Sequence, residues 1–146
     1  LIKRQLIVNE LINVLSGIKI SNGYSSNIGD NVYDYRSMNF NDKNTPAIMV
    51  YDFSNDIDPE YAGAHMNRLS VRIDVISLED DVVNLREHIS DIYLALGNAE
   101  DSFWRDYTAE LIPDRDEMSH EKETVSVGAG QIFIIIKYPV SKWGLN

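Results

Sequence analysis

Three histidines, His65, His88 and His120, and a run of acids, Asp52, Asp56, Asp58 and Glu60, are the groups here that could hold a metal or move a proton. The histidines sit in separate segments with neither HxH nor HExxH spacing, so no two imidazoles are presented to one ion. His88 and Asp91 are one helical turn apart and could pair, but a lone imidazole there predicts a solvated surface residue. The 52–60 acids with His65 offer oxygen donors suited to calcium or magnesium, yet lack the central Gly and closing Glu of an EF-hand loop. Among the nineteen acids of residues 51–123 no pair stands out for general acid–base work. The chain has no cysteine, hence no thiol nucleophile, thiolate metal site or disulfide framework. It has no GxSxG elbow. Gly128 and Gly130 in VGAGQI lack the helix and third glycine of a dinucleotide loop, so a turn explains them better. Trp104 and Trp143 could stack on a cofactor, but core or interface anchoring is the commoner use of tryptophan. The expectation is a protein that is not an enzyme, with no cofactor and no metal.

The net charge of −10 is unevenly distributed. Residues 1–50 carry five Lys/Arg and four Asp/Glu; residues 51–123 carry six and nineteen; residues 124–146 carry two and none. Acid confined to the middle half argues against a surface that grips phosphates, which is led by clustered Lys and Arg. Its plainest use is a solvated, solubilising face. The longest purely apolar run, Ile132 to Ile136, is too short to span a bilayer. No signal peptide is visible at the start, although the sequence opens on Leu1, so an initiator Met or more is expected to be missing. These features predict a soluble protein made in a reducing compartment.

The elements that would position any site centre on Leu78 to Gly97. Val82, Leu85, Ile89, Ile92, Tyr93 and Leu96 form one helical stripe, with Asn84, Glu87, His88 and Asp91 opposite. Ser77 and Asp80 read as a capping box and Gly97 as a left-handed stop. Just before it, Arg68 to Ile76 alternates, with Leu69, Val71, Ile73 and Val75 on one face and Arg68, Ser70, Arg72 and Asp74 on the other. Ile2 to Leu15 carries a stripe of Leu6, Ile7, Leu11, Val14 and Leu15, ended by Gly17. Residues 21–31 are a turn region, Val32 to Arg36 a short strand and residues 37–46 an exposed loop. Ala47 to Phe53 predicts a strand with Met49, Tyr51 and Phe53 on one face, and Ser54 to Asn67 a second, acidic loop. Phe103 to Ile112 alternates as a strand with Tyr107, Ala109 and Leu111 together. Gln131 to Tyr138 is apolar enough for a strand covered on both faces. A polar excursion, about residues 113–130, would project as a hairpin. The whole predicts a single α+β domain over residues 1–146. Two helices pack on one face of a four- to five-stranded, mostly antiparallel sheet, in the order α-β-β-β-α-β-β.

Ile20-Ser-Asn-Gly-Tyr24, Asn27-Ile-Gly29 and Val32, just after the first helix, resemble the "I-x-G-Y-x-T-x-I/L-G-x-x-V" opening of the tail terminator and related minor tail proteins of long-tailed bacteriophages. Pro46-Ala-Ile-Met-Val50 is similar to that family's "PA-hydrophobic-x-V" strand. Leu94-Ala-Leu96 is similar to its second-helix ending, and the hydrophobic strand closing on Lys137-Tyr138 to its last strand. The pattern is departed from at Ser25-Ser26, where Thr or His is commoner, and in the longer excursion 114–130. The resemblance implies a virion protein, assembled in the host cytoplasm, that forms a hexameric ring. That ring caps the finished tail tube, ends its polymerisation and offers the head-attachment surface, at the head-proximal end of the tail. Its partners would be itself, the tube protein and the head–tail connector, with DNA passing through unbound and no membrane involved. A head–tail joining (neck) ring and an acidic inhibitor that mimics DNA stay open as alternatives. Candidate contact residues are Phe40, Asp42, Lys43, Tyr61, Met118 and Trp143. Candidate channel-facing acids, which would keep DNA from sticking, are Asp114, Asp116, Glu117, Glu121 and Glu123.

Overall fold

A computed structural model describes residues 2–35, 45–61, 64–77, 82–122 and 126–141. Helix α1 (Lys3–Ser16) is followed by two 3-10 turns (Ile20–Asn22 and Ile28–Asp30) and the short strand β1 (Val32–Asp34). Then come β2 (Ala47–Tyr61), β3 (Ala64–Ser77), α2 (Val82–Tyr107), β4 (Glu110–Lys122) and β5 (Ser126–Ser141). The sheet runs β1-β2-β3-β5-β4 and is antiparallel except for the β1–β2 pair. The expected α+β class, two helices on one sheet, is therefore the one formed. No helix among the described residues is long and apolar enough to cross a membrane.

The pleat decides what is buried, because alternate side chains leave a strand on opposite faces. Ile48 and Val50 of β2, Leu69, Val71, Ile73 and Val75 of β3, and Ile132, Ile134 and Ile136 of β5 all point to the helices and are buried. They meet Ile7, Val8, Leu11 and Leu15 of α1 and Leu85, Ile89, Ile92, Leu96 and Phe103 of α2. Gly130 in β5 makes room for α2, since a Cβ there would stand 3.0 Å from the Ile89 side chain. Helix α1 is held at its start by Lys3 Nζ donating to the Pro139 carbonyl (2.9 Å) and by Arg4 donating to the Asp52 carboxylate (2.7 Å).

Several expectations fail, each for a local reason. Gly97 does not stop α2, which runs ten residues further. Gly97 lies on the exposed side, where glycine costs about 1 kcal/mol of helix propensity. Continuing the helix buries Ala99 and the whole of Phe103, and burying a phenylalanine is worth roughly 1.5–3 kcal/mol. Thus the expected strand over Phe103–Ile112 is helix as far as Tyr107, and β4 begins at Glu110. The stop is Thr108, in the left-handed region at φ 52°, whose N–H donates to the Trp104 carbonyl. Of the segment 54–67, expected as an acidic loop, residues 54–61 and 64–67 are the outer half of the β2–β3 hairpin, whose cross-strand pairs include Asp56 with Arg68. β5 is covered on one face only: Phe133 and Ile135 on the other remain half-buried. His88, expected in solvent, is buried, and so is Asp91. Asp80 of the proposed capping box and residues 37–44 of the expected loop 37–46 lie outside the described residues.

Phe103→Ala is expected to cost about 3–5 kcal/mol, read from urea midpoints. It should also release the amides of residues 98–107 to hydrogen exchange ahead of those of residues 85–96.

Candidate functional site

The segment that carries the family resemblance is built into a clasp between the two helices. Gly23 turns the chain with φ 92°, a left-handed conformation that glycine adopts without strain. Gly29 donates its N–H to the Ile18 carbonyl, and its Cα is so close to α1 that a Cβ would meet the Leu15 and Ile18 carbonyls at 2.7 Å. From the other side Asp91 of α2 accepts the Ser25 N–H (3.0 Å) and the Ser26 hydroxyl (2.6 Å). Only 3% of Asp91 is exposed, so its charge is answered almost wholly by these donors. Ser25-Ser26, where the sequence departs from the family pattern, are thus the residues that fasten the turn to α2. They were not legible as such, because nothing in the sequence says which segment folds over Asp91.

The face of the sheet away from the helices carries a row of rings and guanidinium groups across the strands. Tyr51 of β2, Arg72 of β3, Phe133 of β5 and Arg115 of β4 stand side by side by register. The Arg72 guanidinium lies 4.6 Å from the Tyr51 ring centre and that of Arg115 3.9 Å from Phe133, both within cation–π range. Tyr35, just after β1, meets Tyr51 edge-on at 5.1 Å, and Phe53, at a bulge in β2, meets Phe133 edge-on at 6.5 Å. Arg72 also pairs with Asp74 at 2.8 Å; burial pushes that carboxyl up from its ordinary range, and Arg72 opposes the shift. Aromatic and arginine side chains of this kind are the usual anchors of protein contacts. Beside the sheet, between α2 and β4, lies an open groove of about 450 Å³ lined by Glu100, Asp101, Trp104, Ala109, Glu110 and Leu111.

Most of the hairpin expected to project, 113–130, lies within the sheet, since Pro113–His120 pair with Gly128–Ile134 of β5 and only the tip passes the Ser77–Gly128 end of β3; four of the proposed channel acids fall on β4, not all on one side. Asp116 faces α2 and accepts the Tyr93 hydroxyl at 2.8 Å; burial first, and then this bond and the carboxylate's charge, push that phenol up to about 12. Glu117 is on the other side, and it and Asp114 both flank Arg115. Glu121 pairs with Val127 in the ladder, and Glu123 lies outside the described residues. Of the candidate contact residues, Met118 is 42% exposed on β4 and Tyr61 ends β2 at the hairpin turn. Phe40, Asp42, Lys43 and Trp143 lie outside the described residues. The acids expected as cation donors are dispersed: Asp52 faces α1, whereas Asp56 and Asp58 follow the bulge onto the open face. No group of three His, Asp or Glu residues able to hold a metal occurs among the described residues.

Asp91→Ala removes two charge-assisted hydrogen bonds worth about 1.5–3 kcal/mol. It should lower the urea midpoint accordingly and abolish exchange protection of the Ser25 amide, with Ser26→Ala showing a smaller loss. Comparison with family models and with curated proteins finds no match to this chain.

Proposed function

We propose that this chain is a structural protein of a phage virion, a tail terminator whose six copies close into a ring on the end of the tail tube. The observation that carries the reading is the placing of the two long hairpins. β3 pairs with β5 from Ala64–Ser141 at one end to Ser77–Gly128 at the other. The β2–β3 turn therefore leaves one end of the sheet and the β4–β5 turn leaves the opposite end. A ring of such subunits has contact elements above and below a rigid body, as a cap between tube and head connector needs. The clasp of residues 20–29 supports the same reading in part, since Gly29, which matches the family pattern, seats the segment against the end of α1, while Ser25-Ser26, which depart from it, fasten it to α2. Six copies at −10 each would also repel DNA sliding through the centre.

The test is the mass of the purified protein alone and with tail tubes, with negative-stain images of the mixture. The expected result is a hexamer, in solution or on tubes, seated at tube ends and halting their growth. A protein that stays single and leaves tube ends free would overturn the reading. A ring that binds the head portal and ignores tubes would reassign it to the neck.

A further inference from the structure

One edge of the sheet is open over part of its length. β1 pairs with β2 from Ile48 to Val50, whereas β2 runs on to Tyr61. Ile48 donates its N–H to the Asn31 carbonyl and Val50 accepts the Tyr35 N–H, so the backbone at these residues points toward β1. That direction alternates along a strand, so Met49 and Tyr51 point to β3 and Asp52 points outward again. There Arg4 donates to the Asp52 carbonyl at 3.2 Å. The extra residue of β2 between Asp52 and Ser54 shifts the alternation by one, which turns the N–H and C=O of Asn55 and Ile57 outward. Neither residue's backbone has a partner on that side among the described residues. Pro59, next in the series, has no N–H to offer.

The side chains along this edge select what fits beside it. Ile57 lies on the helix side, across from Asn67, and is 55% exposed. Asp56 and Asp58 flank it on the open face, and neither makes an ion pair among the described residues. Across the strands, Asp56, Arg68, Lys137 and Glu110 form a row balanced in charge. The next row, Asp58, Met66 and Pro139, holds an acid and no base. Arg68 thus stands beside Asp56 and diagonal to Asp58, one base against two acids. A strand added outside β2 would set its own side chains opposite Asp56, Ile57 and Asp58. Opposite charges across a strand pair attract and like charges repel, so bases suit the two acidic positions and an apolar residue the middle one.

We propose that this edge accepts an extended polypeptide segment of alternating basic and apolar residues, added to the sheet as a further strand along residues 54–58. Backbone bonds to Asn55 and Ile57 hold it, bases meet Asp56 and Asp58, and an apolar side chain covers Ile57. The occupant is another polypeptide rather than the sheet edge of a second copy. The same edge of a second copy is equally acidic, and β4, the opposite edge, carries Asp114, Asp116 and Glu117 and is interrupted at Pro113. The acids therefore turn copies away while admitting a basic strand. The inference does not depend on the ring reading, since the edge belongs to a single chain.

The test uses the whole chain and a blocked peptide, Thr-Arg-Val-Arg-Val-Arg-Thr, followed by calorimetry and by amide exchange at each residue. With the peptide at about ten times its Kd, exchange at Asn55 and Ile57 should slow about tenfold. The amides of β4 should not change. The same peptide methylated on its backbone nitrogens keeps its charge but cannot donate to the ladder, and should leave both amides unprotected. Asp56→Lys with Asp58→Lys should weaken binding about tenfold and shift preference to Thr-Glu-Val-Glu-Val-Glu-Thr. Asp58→Asn, the milder change, should weaken binding about threefold; thermal melting establishes that each variant folds. A methylated peptide that binds equally well, or binding indifferent to both variants, would mean attraction to net charge alone and overturn the proposal. So would a peptide that protects β4 instead, or one that does not bind, which would leave the acids as guards of the edge.

Discussion

Everything in this molecule follows from the helices lying on one side of the sheet. A strand buries every second residue, so fixing Leu69, Val71, Ile73 and Val75 against α1 and α2 forces Arg68, Ser70, Arg72 and Asp74 onto the far side. The same holds for β5, where Ile132, Ile134 and Ile136 go in and Phe133, Ile135 and Lys137 go out. The open face is thus a consequence of the core. Its half-buried rings are shielded by neighbouring arginines, within 4.6 Å and 3.9 Å of the Tyr51 and Phe133 ring centres, and by the edge-on rings of Tyr35 and Phe53.

Much of this was legible from periodicity alone. The Arg68–Ile76 alternation named the inward residues correctly, and the first helix, ended at Gly17, needed no tertiary information. The second helix shows where local signals lose. Gly97 is a plausible stop by sequence, but its weak preference is outweighed once Phe103 has a core to enter. Residues 54–67 misled for a related reason. Acidic, poorly patterned strands gain little from a core, and here their pairing is sustained by the ladder and by the neighbouring strand β3.

The site was less legible than the fold because register is a long-range property. Tyr51, Arg72, Phe133 and Arg115 come from four strands, and only the pairing of those strands puts them in one row. The role of Asp91 likewise depends on a turn 65 residues away in the chain. By contrast the glycines of the 20–29 segment could be read for what they do, since a turn and a close approach are both local demands.

Pro113 and the irregularity beside it interrupt the outermost strand near its start. A proline offers no amide donor, and a displaced backbone at Asp114 throws any added strand out of step. Sheets of separate molecules are thereby discouraged from zipping edge to edge along β4 into fibres. What the outermost strand offers a neighbouring molecule is thus its side chains rather than an unbroken backbone ladder.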